Sequence, residues 1–218
     1  AVNVGADYVA QNIRIENGFY VFDVKTKDEL IQNVKFGLPG HHNLTNALLA
    51  FAMAKSYGVE NEKISSALAT FKGVRRRFSF QIREEKLVYI DDYAHHPTEI
   101  NAVHQAVREL YPNKKIIACF QPHLFSRTKD FIDGFAESLA QFDEILLLEI
   151  YPARELPMKG VNSTWLLNKI KNENKRLVTK EELLTNFTNS DANVFVTIGA
   201  GDIGEMVKDI KKVLNEKV

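Results

Sequence analysis

KKIIACFQPHLFSRTKDFIDGFAESLAQFDEILLLEI, residues 114–150, is the stretch that decides the fold. Its two ends, KKIIACF (114–120) and EILLLEI (144–150), carry unbroken apolar runs rather than an alternating pattern. Such strands are buried on both faces, as in a parallel sheet covered by helices on each side. Between them, residues 126–141 read as a helix. The same alternation continues downstream as helix 162–171, strand KRLVT, helix 180–187, strand NVFVTI and helix 202–215. In that last helix Ile203, Val207, Ile210 and Leu214 share one face, with lysines opposite. Upstream, GVRRRF (73–78) leads into two strand-like runs, FSFQI and KLVYI, and a helix at 97–110. Strands and helices alternating through short loops predict an α/β fold, with a Rossmann-like, doubly wound, mostly parallel sheet.

Residues before about 72 have a different texture. YVAQNIRI, GFYVFDV and IQNVKF alternate apolar and polar positions within 7–36, and Asn17-Gly18 between the first two is a hairpin-turn signal. After Gly37, Pro39 and Gly40 comes a helix with Leu44, Ala47, Leu48 and Phe51 on one stripe, ended by Gly58. A second helix, about 60–71, carries Ile64, Ala67, Leu68 and Phe71. The expected division is therefore a small hairpin-plus-helix region, 1–72, and a larger domain, 73–218, with the boundary near Lys72-Gly73.

Composition narrows the functional classes. Among 218 residues, Lys+Arg and Asp+Glu are 28 each, so no charge excess exists to hold a nucleic acid or an acidic membrane non-specifically. The single cysteine, Cys119, excludes an internal disulfide or a multi-cysteine zinc site, and its apolar neighbours predict a buried, inert thiol. The longest wholly apolar run, LLAFAMA (48–54), is far short of the ~20 residues of a spanning helix. The start, AVNVGADYVAQ, has neither a basic segment nor an apolar core of a signal peptide, and it lacks an initiating Met. A processed chain or a piece of a larger one, located in the cytoplasm, is the resulting expectation.

In open α/β sheets, ligands bind beyond the carboxyl ends of the strands. Four loops qualify: 91–97 (DDYAHHP), 121–128 (QPHLFSRT), 151–155 (YPARE) and 199–204 (GAGDIG). Pro97 suits a first helical position, which places His95 and His96 at a positive helix end that disfavours imidazolium and favours anions. Asp91 and Asp92 either cap that helix, or Asp92 accepts hydrogen bonds from a ribose or an amine. Ser126 reads as an N-cap. Arg127 is either a solvated side chain or a bidentate clamp on a carboxylate. In the smaller region His42 and Asn46 share a helix face, and Asn43 is one turn from Asn46. Asn43 could cap the helix. Asn46 lies past the capping position, so an adenine edge or a phosphate is a plausible partner. Arg75-Arg76-Arg77 reads as a solvated charge run or as a nucleotide contact at a domain junction.

Two further patterns carry less. GAGDIG matches G-x-G-x-x-G, yet only 14 residues follow Gly204 and no acidic residue stands about 20 positions on, so a tight turn is expected instead of a dinucleotide site. The six histidines form no H-x-x-x-H or H-E-x-x-H pair, so no metal site is expected from them.

DDYAHHPTE (91–99), FQPHLFSRT (120–128), GVRRRF (73–78), PGHHNLTNAL (39–48), EIYPARE (149–155) and GAGDIG (199–204) together resemble the Mur ligases, in family order over nearly the whole chain. The resemblance implies a three-domain enzyme: one domain for a UDP-sugar, a central domain for ATP, and a C-terminal Rossmann-like domain that closes on an amino acid. No G-x-x-x-x-G-K-[ST] loop is present. The resemblance therefore implies a fragment, with 1–72 the last part of the central domain and 73–218 the C-terminal domain. The implied reaction uses ATP and Mg2+ to join L-alanine to UDP-N-acetylmuramate through an acyl phosphate. The Mg2+ ligands would lie mainly in the absent part, and the fragment alone would be inactive.

Carried over by position, Asn46 would contact adenine with His42 and Asn43 nearby. Arg77 would face the nucleotide phosphates, and Asp92 the ribose. Tyr93, His95 and Arg127 would line the pocket for the amino acid and the muramyl carboxylate, with His96, His123 and Ser126 beside them. His95, Arg127 and Arg77 are the candidate catalytic groups. Leu124 stands where some family members have a second arginine, which leaves carboxylate binding more heavily to Arg127. The competing readings are a murein tripeptide recycling ligase of the same family, which resembles this sequence less at the QPH loop, and a non-catalytic Rossmann-like module for a nucleotide or amino acid.

Overall fold

The computed structural model describes residues 6–16 and 18–217, which form two compact units, Ala1–Gly73 and Val74–Val218. Asn17 of the expected hairpin turn lies outside the described residues; Gly18, beside it, has φ 77°.

The first unit is a three-stranded antiparallel meander of β1 (Tyr8–Glu16), β2 (Phe19–Thr26) and β3 (Leu30–Phe36), followed by α1 (His41–Ser56) and α2 (Asn61–Thr70). The stripe expected in α1 is buried: Leu44, Ala47, Leu48 and Phe51 pack with Ile64 and Leu68 of α2 against Phe22, Val24, Val34 and Phe36. Buried Asp23 accepts from the Asn12 side chain (2.8 Å) and the Asn33 backbone N–H (2.9 Å), two residues at φ 53° and 58°. One carboxylate thus pins both irregularities of the meander, where Asn tolerates the left-handed conformation.

The second unit is a six-stranded sheet in the order β4-β5-β9-β6-β7-β8. Its strands are β4 (Ser79–Arg83), β5 (Val88–Asp92), β6 (Ile116–Phe120), β7 (Glu144–Leu147), β8 (Lys175–Leu177) and β9 (Val194–Ile198). Only β4 pairs antiparallel, with β5; every other pairing is parallel. One face is covered by α3 (Pro97–Leu110), α5 (Ile132–Leu139) and α6 (Ser163–Lys169), the other by α7 (Lys180–Asn189) and α8 (Val207–Asn215). This is the doubly wound α/β architecture. Alternate residues of β6 serve both layers: Ile116, Ala118 and Phe120 face the first, Ile117 and Cys119 the second. That division explains why the run IIACF shows no polar alternation. Cys119 is fully buried and its thiol is pushed up by burial, consistent with an inert packing role.

Two expected helices are broken. Residues 126–141 form α4 (Phe125–Asp130) and α5, separated at Phe131 with φ −115°. The 202–215 segment starts as a 3-10 turn, Asp202–Glu205, before α8. Among the described residues, no helix is long and apolar enough to cross a membrane.

Candidate functional site

Because β9 lies between β5 and β6, the loops leaving the carboxyl ends of these three strands are neighbours. β5 ends on two buried aspartates. Asp92 accepts backbone N–H groups from Phe78 (2.6 Å) and Ala94 (2.7 Å), one on each oxygen. Burial pushes its carboxyl up to about 6 against the pull of those donors and of Arg77. Asp91 accepts from the Thr197 hydroxyl (2.9 Å), which also meets the Tyr89 hydroxyl (3.0 Å), and pairs with Arg76 Nε at 3.0 Å. Burial raises Asp91 as well, with Arg76 opposing.

Arg76 is therefore no solvated member of a charge run. Its Nη2 donates to the Gly199 carbonyl (2.6 Å), and a Cβ at position 204 would stand 2.5 Å from its Cζ. Gly204 leaves the space this guanidinium occupies. Gly199 and Gly201 do the same for Gln121: a Cβ at 199 would lie 2.8 Å from its carbonyl oxygen, and one at 201 would collide with its side-chain oxygen. The glycine spacing of GAGDIG thus serves close packing of Arg76 and Gln121, the tight turn expected from the sequence.

The turn that delivers Arg76 also delivers Tyr93. Arg76 and Phe78 have φ 60° and 46°, and the Tyr93 N–H donates to the Arg76 carbonyl (2.7 Å). The guanidinium carbons of Arg76 and Arg77 lie 5.2 and 5.9 Å from the Tyr93 ring centroid. Arg77 is more exposed and lies 3.7 Å from Glu99.

Neither aspartate caps α3. The N-cap is His96, whose Nδ1 accepts from the Thr98 N–H at 3.3 Å, with Pro97 at the first helical position as expected. That role requires an unprotonated Nδ1, and the ring packs edge-on to Phe131. His96 is thereby occupied as a structural cap, and His95 is the histidine left to the rim. The His95 N–H donates to Glu99 (2.8 Å), and its Nδ1 lies 3.0 Å from the Tyr93 carbonyl and 3.4 Å from Glu99.

The loop after β6 differs from expectation at Ser126. The N-cap of α4 is Leu124, at φ 74°, and Ser126 sits in the first turn. Its backbone N–H donates to Glu155 (2.9 Å) and its hydroxyl donates to the other oxygen of the same carboxylate. A carboxylate from the next loop supplies what the serine was expected to supply itself. Leu124 N–H donates to the Tyr151 carbonyl (2.9 Å) and Tyr151 N–H to the Pro122 carbonyl (2.8 Å), stapling the two loops. Arg127 Nη1 lies 3.3 Å from His123 Nδ1, and burial followed by the Arg127 charge pushes the His123 imidazole below its ordinary range.

Tyr93, His95, His123 and Arg127 are thus brought together: ring centroids are 5.4 Å apart for Tyr93–His95 and 6.4 Å for His95–His123. The group presents one permanent cation, two imidazoles and an aromatic ring, a set suited to a carboxylate and an amine. Among the described residues, no group of three or more His, Cys, Asp or Glu is placed to hold a metal ion.

The other candidates lie in the first unit. Gly40, at φ 96°, caps α1 and donates its N–H to the Tyr20 hydroxyl (3.0 Å). Asn43 is inside the helix, and its amide donates back to the Pro39 carbonyl (2.8 Å), so it braces the turn and does not cap. His42 and Asn46 are exposed one turn apart on α1.

Sequence reasoning placed Arg76 in a candidate run and Gln121, Tyr151 and Glu155 in candidate loops without giving any of them a role, and it gave none to Glu99. Only two had a local signal: Glu99, four residues after His95, and Arg76, whose space Gly204 keeps open.

The sequence matches the family described as Mur ligase, glutamate ligase domain, over residues 76–213. The UDP-N-acetylmuramate–L-alanine ligase of Flavobacterium psychrophilum is 70% identical over 220 residues, which cover 99% of this chain and 49% of that protein. The enzyme of the same name from Flavobacterium johnsoniae is 65% identical over 218 residues, 100% of this chain and 49% of that one. The crystal structure of UDP-N-acetylmuramate-alanine ligase from Thermotoga maritima matches with a TM-score of 0.81 at 26% identity, covering 100% of this chain and 48% of that one. The chain spans about half the length of the relatives it matches.

Proposed function

Because this chain belongs to the Mur ligase family, we propose that it is part of an ATP-dependent ligase joining L-alanine to UDP-N-acetylmuramate for peptidoglycan precursors. The observation that carries this reading is the cluster of Tyr93, His95, His123 and Arg127 in a chain 70% identical to a ligase of that name. Residues 1–72 are read as part of the ATP-binding domain and 73–218 as the amino-acid-binding domain.

In the proposed reaction the muramate carboxylate attacks the γ-phosphate of ATP, giving an acyl phosphate and ADP. The amine of L-alanine then attacks the acyl carbon and phosphate leaves. This chain contributes positioning and charge. Arg127 clamps a substrate carboxylate, and the depressed His123 beside it stays neutral, so it adds no charge to repel an incoming ammonium. His95 is assigned its tautomer from its neighbours: Nδ1 points at the Tyr93 carbonyl and carries the hydrogen. Nε2 is then free to take the proton that the attacking ammonium must lose. Tyr93 closes the pocket with its ring. Arg77, exposed beside it, faces the phosphates. Asp92, Asn46, His42 and Asn43 are assigned to the nucleotide; each Asp92 oxygen keeps a lone pair for a ribose hydroxyl beyond its backbone donor. His96 and Ser126 act on substrates only through the loops they brace. The described residues offer no carboxylate cluster for Mg2+, so no step is assigned to the metal here.

The test is ATP-dependent phosphate release by the full-length parent with UDP-N-acetylmuramate and a panel of amino acids. Release that depends on L-alanine supports the reading, and release indifferent to the amino acid refutes it. The 218-residue chain alone is expected to release none.

A further inference from the structure

Beside the rim cluster, at the same carboxyl edge of the sheet, lies a groove of about 420 Å3 whose walls include Tyr151, Gln121, Val178, Thr179, Lys180 and Asp202. Tyr151 belongs to both places. Its ring stacks on His123 with centroids 5.7 Å apart and planes at 25°, and His123 in turn adjoins His95 and Arg127. Tyr151 therefore borders the rim through its ring and the groove as one of its walls. Its position is fixed from the main chain by the Leu124 and Pro122 hydrogen bonds and by Gly201, where a Cβ would come within 2.7 Å of the Tyr151 Cβ.

We propose that Tyr151 is the partition between the amino-acid pocket and this groove, and that it sets the upper size of the amino-acid side chain the ligase accepts. The inference rests on the reading that His95, His123 and Arg127 hold the amino acid. Removing the ring joins the two spaces. The chemistry of the groove then decides which longer side chains enter. Lys180 is paired with Asp202 at 2.5 Å, Gln121 donates to Asp202 (2.7 Å), and its side-chain oxygen accepts from the Ile203 N–H (2.9 Å). These polar groups are already satisfied. An anionic side chain would have to displace Asp202 from Lys180 and would face Glu149 and Glu182 in the same walls, whereas an uncharged linear chain lies along Val178 and Leu148 without doing so. The opened enzyme takes L-2-aminobutyrate and L-norvaline, not L-glutamate.

The experiment uses the full-length parent and measures kcat/KM for L-alanine, L-2-aminobutyrate, L-norvaline and L-glutamate in the wild type, Tyr151→Ala, Tyr151→Leu and Tyr151→Phe. An extra methylene that a hydrophobic pocket refuses is worth about 10–200-fold, so the norvaline-to-alanine ratio should rise by at least about 10-fold in Tyr151→Ala. Tyr151→Leu should give a smaller rise, and Tyr151→Phe should keep the wild-type ratio. The main-chain hydrogen bonds of residue 151 survive all three substitutions. An unchanged ratio in both Tyr151→Ala and Tyr151→Leu overturns the inference, as does loss of all ligation in both. A wild type without L-alanine-dependent phosphate release instead sinks the underlying functional reading.

Discussion

Replacing Arg76 by methionine keeps most of the side-chain volume and removes the guanidinium paired with Asp91. Asp91 is 1% exposed and Arg76 16%, so the pair is buried, and breaking such a pair by deleting one member costs about 3–5 kcal/mol. The Gly199 carbonyl loses a donor as well. An independent ceiling comes from protonation: an abandoned Asp91 can always take up a proton. At pH 7.5 that costs about 1.4 kcal/mol for each unit above the ordinary 3.8, or about 5 kcal/mol. The two figures agree. The sign with pH follows. Burial already holds Asp91 above its unfolded value in the wild type with Arg76 opposing; without Arg76 it lies higher still, so the variant's native state binds the proton first and regains more stability than the wild type as pH falls. Its deficit against the wild type should therefore shrink between pH 7.5 and 5.5. Trp165, the single tryptophan, packs on the core of the second unit, so urea unfolding followed by its fluorescence reports that unit. Gly204→Ala tests the same contact from the other side: it should cost about 1–3 kcal/mol in the wild type and much less once Arg76 is gone. A deficit under about 1 kcal/mol for Arg76→Met at pH 7.5, or one that ignores pH, would refute the reasoning.

Three further expectations concern other groups. His104 has neither ring nitrogen hydrogen-bonded, and burial, then Arg108, push its imidazole below the ordinary range. The unfolded state therefore takes the proton first below about pH 6.5, and stability is lost as pH falls; His104→Leu should remove that loss and gain about 1 kcal/mol at pH 6, checked by urea unfolding. Asp92 runs the opposite way: its carboxyl titrates at about 6, so its ionisation costs about 3 kcal/mol at neutral pH, regained as pH falls from 6 toward 4. Carboxyl-carbon NMR should find its midpoint near 6, and a midpoint under 5 would contradict the burial argument. In the full-length parent, Glu155→Ala should release the Ser126 loop and raise the KM for L-alanine, while Glu155→Gln, which keeps an acceptor for the Ser126 N–H, should restore most of it; equal KM values in all three enzymes would dissociate Glu155 from Arg127.

The alternation of strands and helices was legible because burial on both sheet faces leaves a direct trace in sequence: IIACF and ILLL have no polar positions to hide. Helix α3 was equally readable, since Pro97 marks its start and its buried face recurs at helical spacing. The break at Phe131 was not, because the apolar stripe continues across it and only the backbone angle changes. The placing of the loops that carry Tyr93, His95, His123 and Arg127 at one sheet edge followed from the alternation of strands and helices, whereas the insertion of β9 between β5 and β6 that makes them neighbours did not. What holds them did not, because Arg76, Glu99 and Glu155 act across gaps of 4 to 123 residues by charge. In sequence, a charge with a buried partner looks the same as one facing water. Ser126 was misread for that reason: a serine before a helix signals a cap, and nothing local reveals that a glutamate 29 residues on has taken the role.

The most direct test of the central claim, that these loops form a carboxylate-binding pocket centred on Arg127, is steady-state phosphate release by the full-length parent carrying Arg127→Ala. The account predicts a KM raised at least about 10-fold for L-alanine or for UDP-N-acetylmuramate, the two carboxylate substrates, with the KM for ATP unchanged. Unaltered KM values for both carboxylate substrates would contradict it.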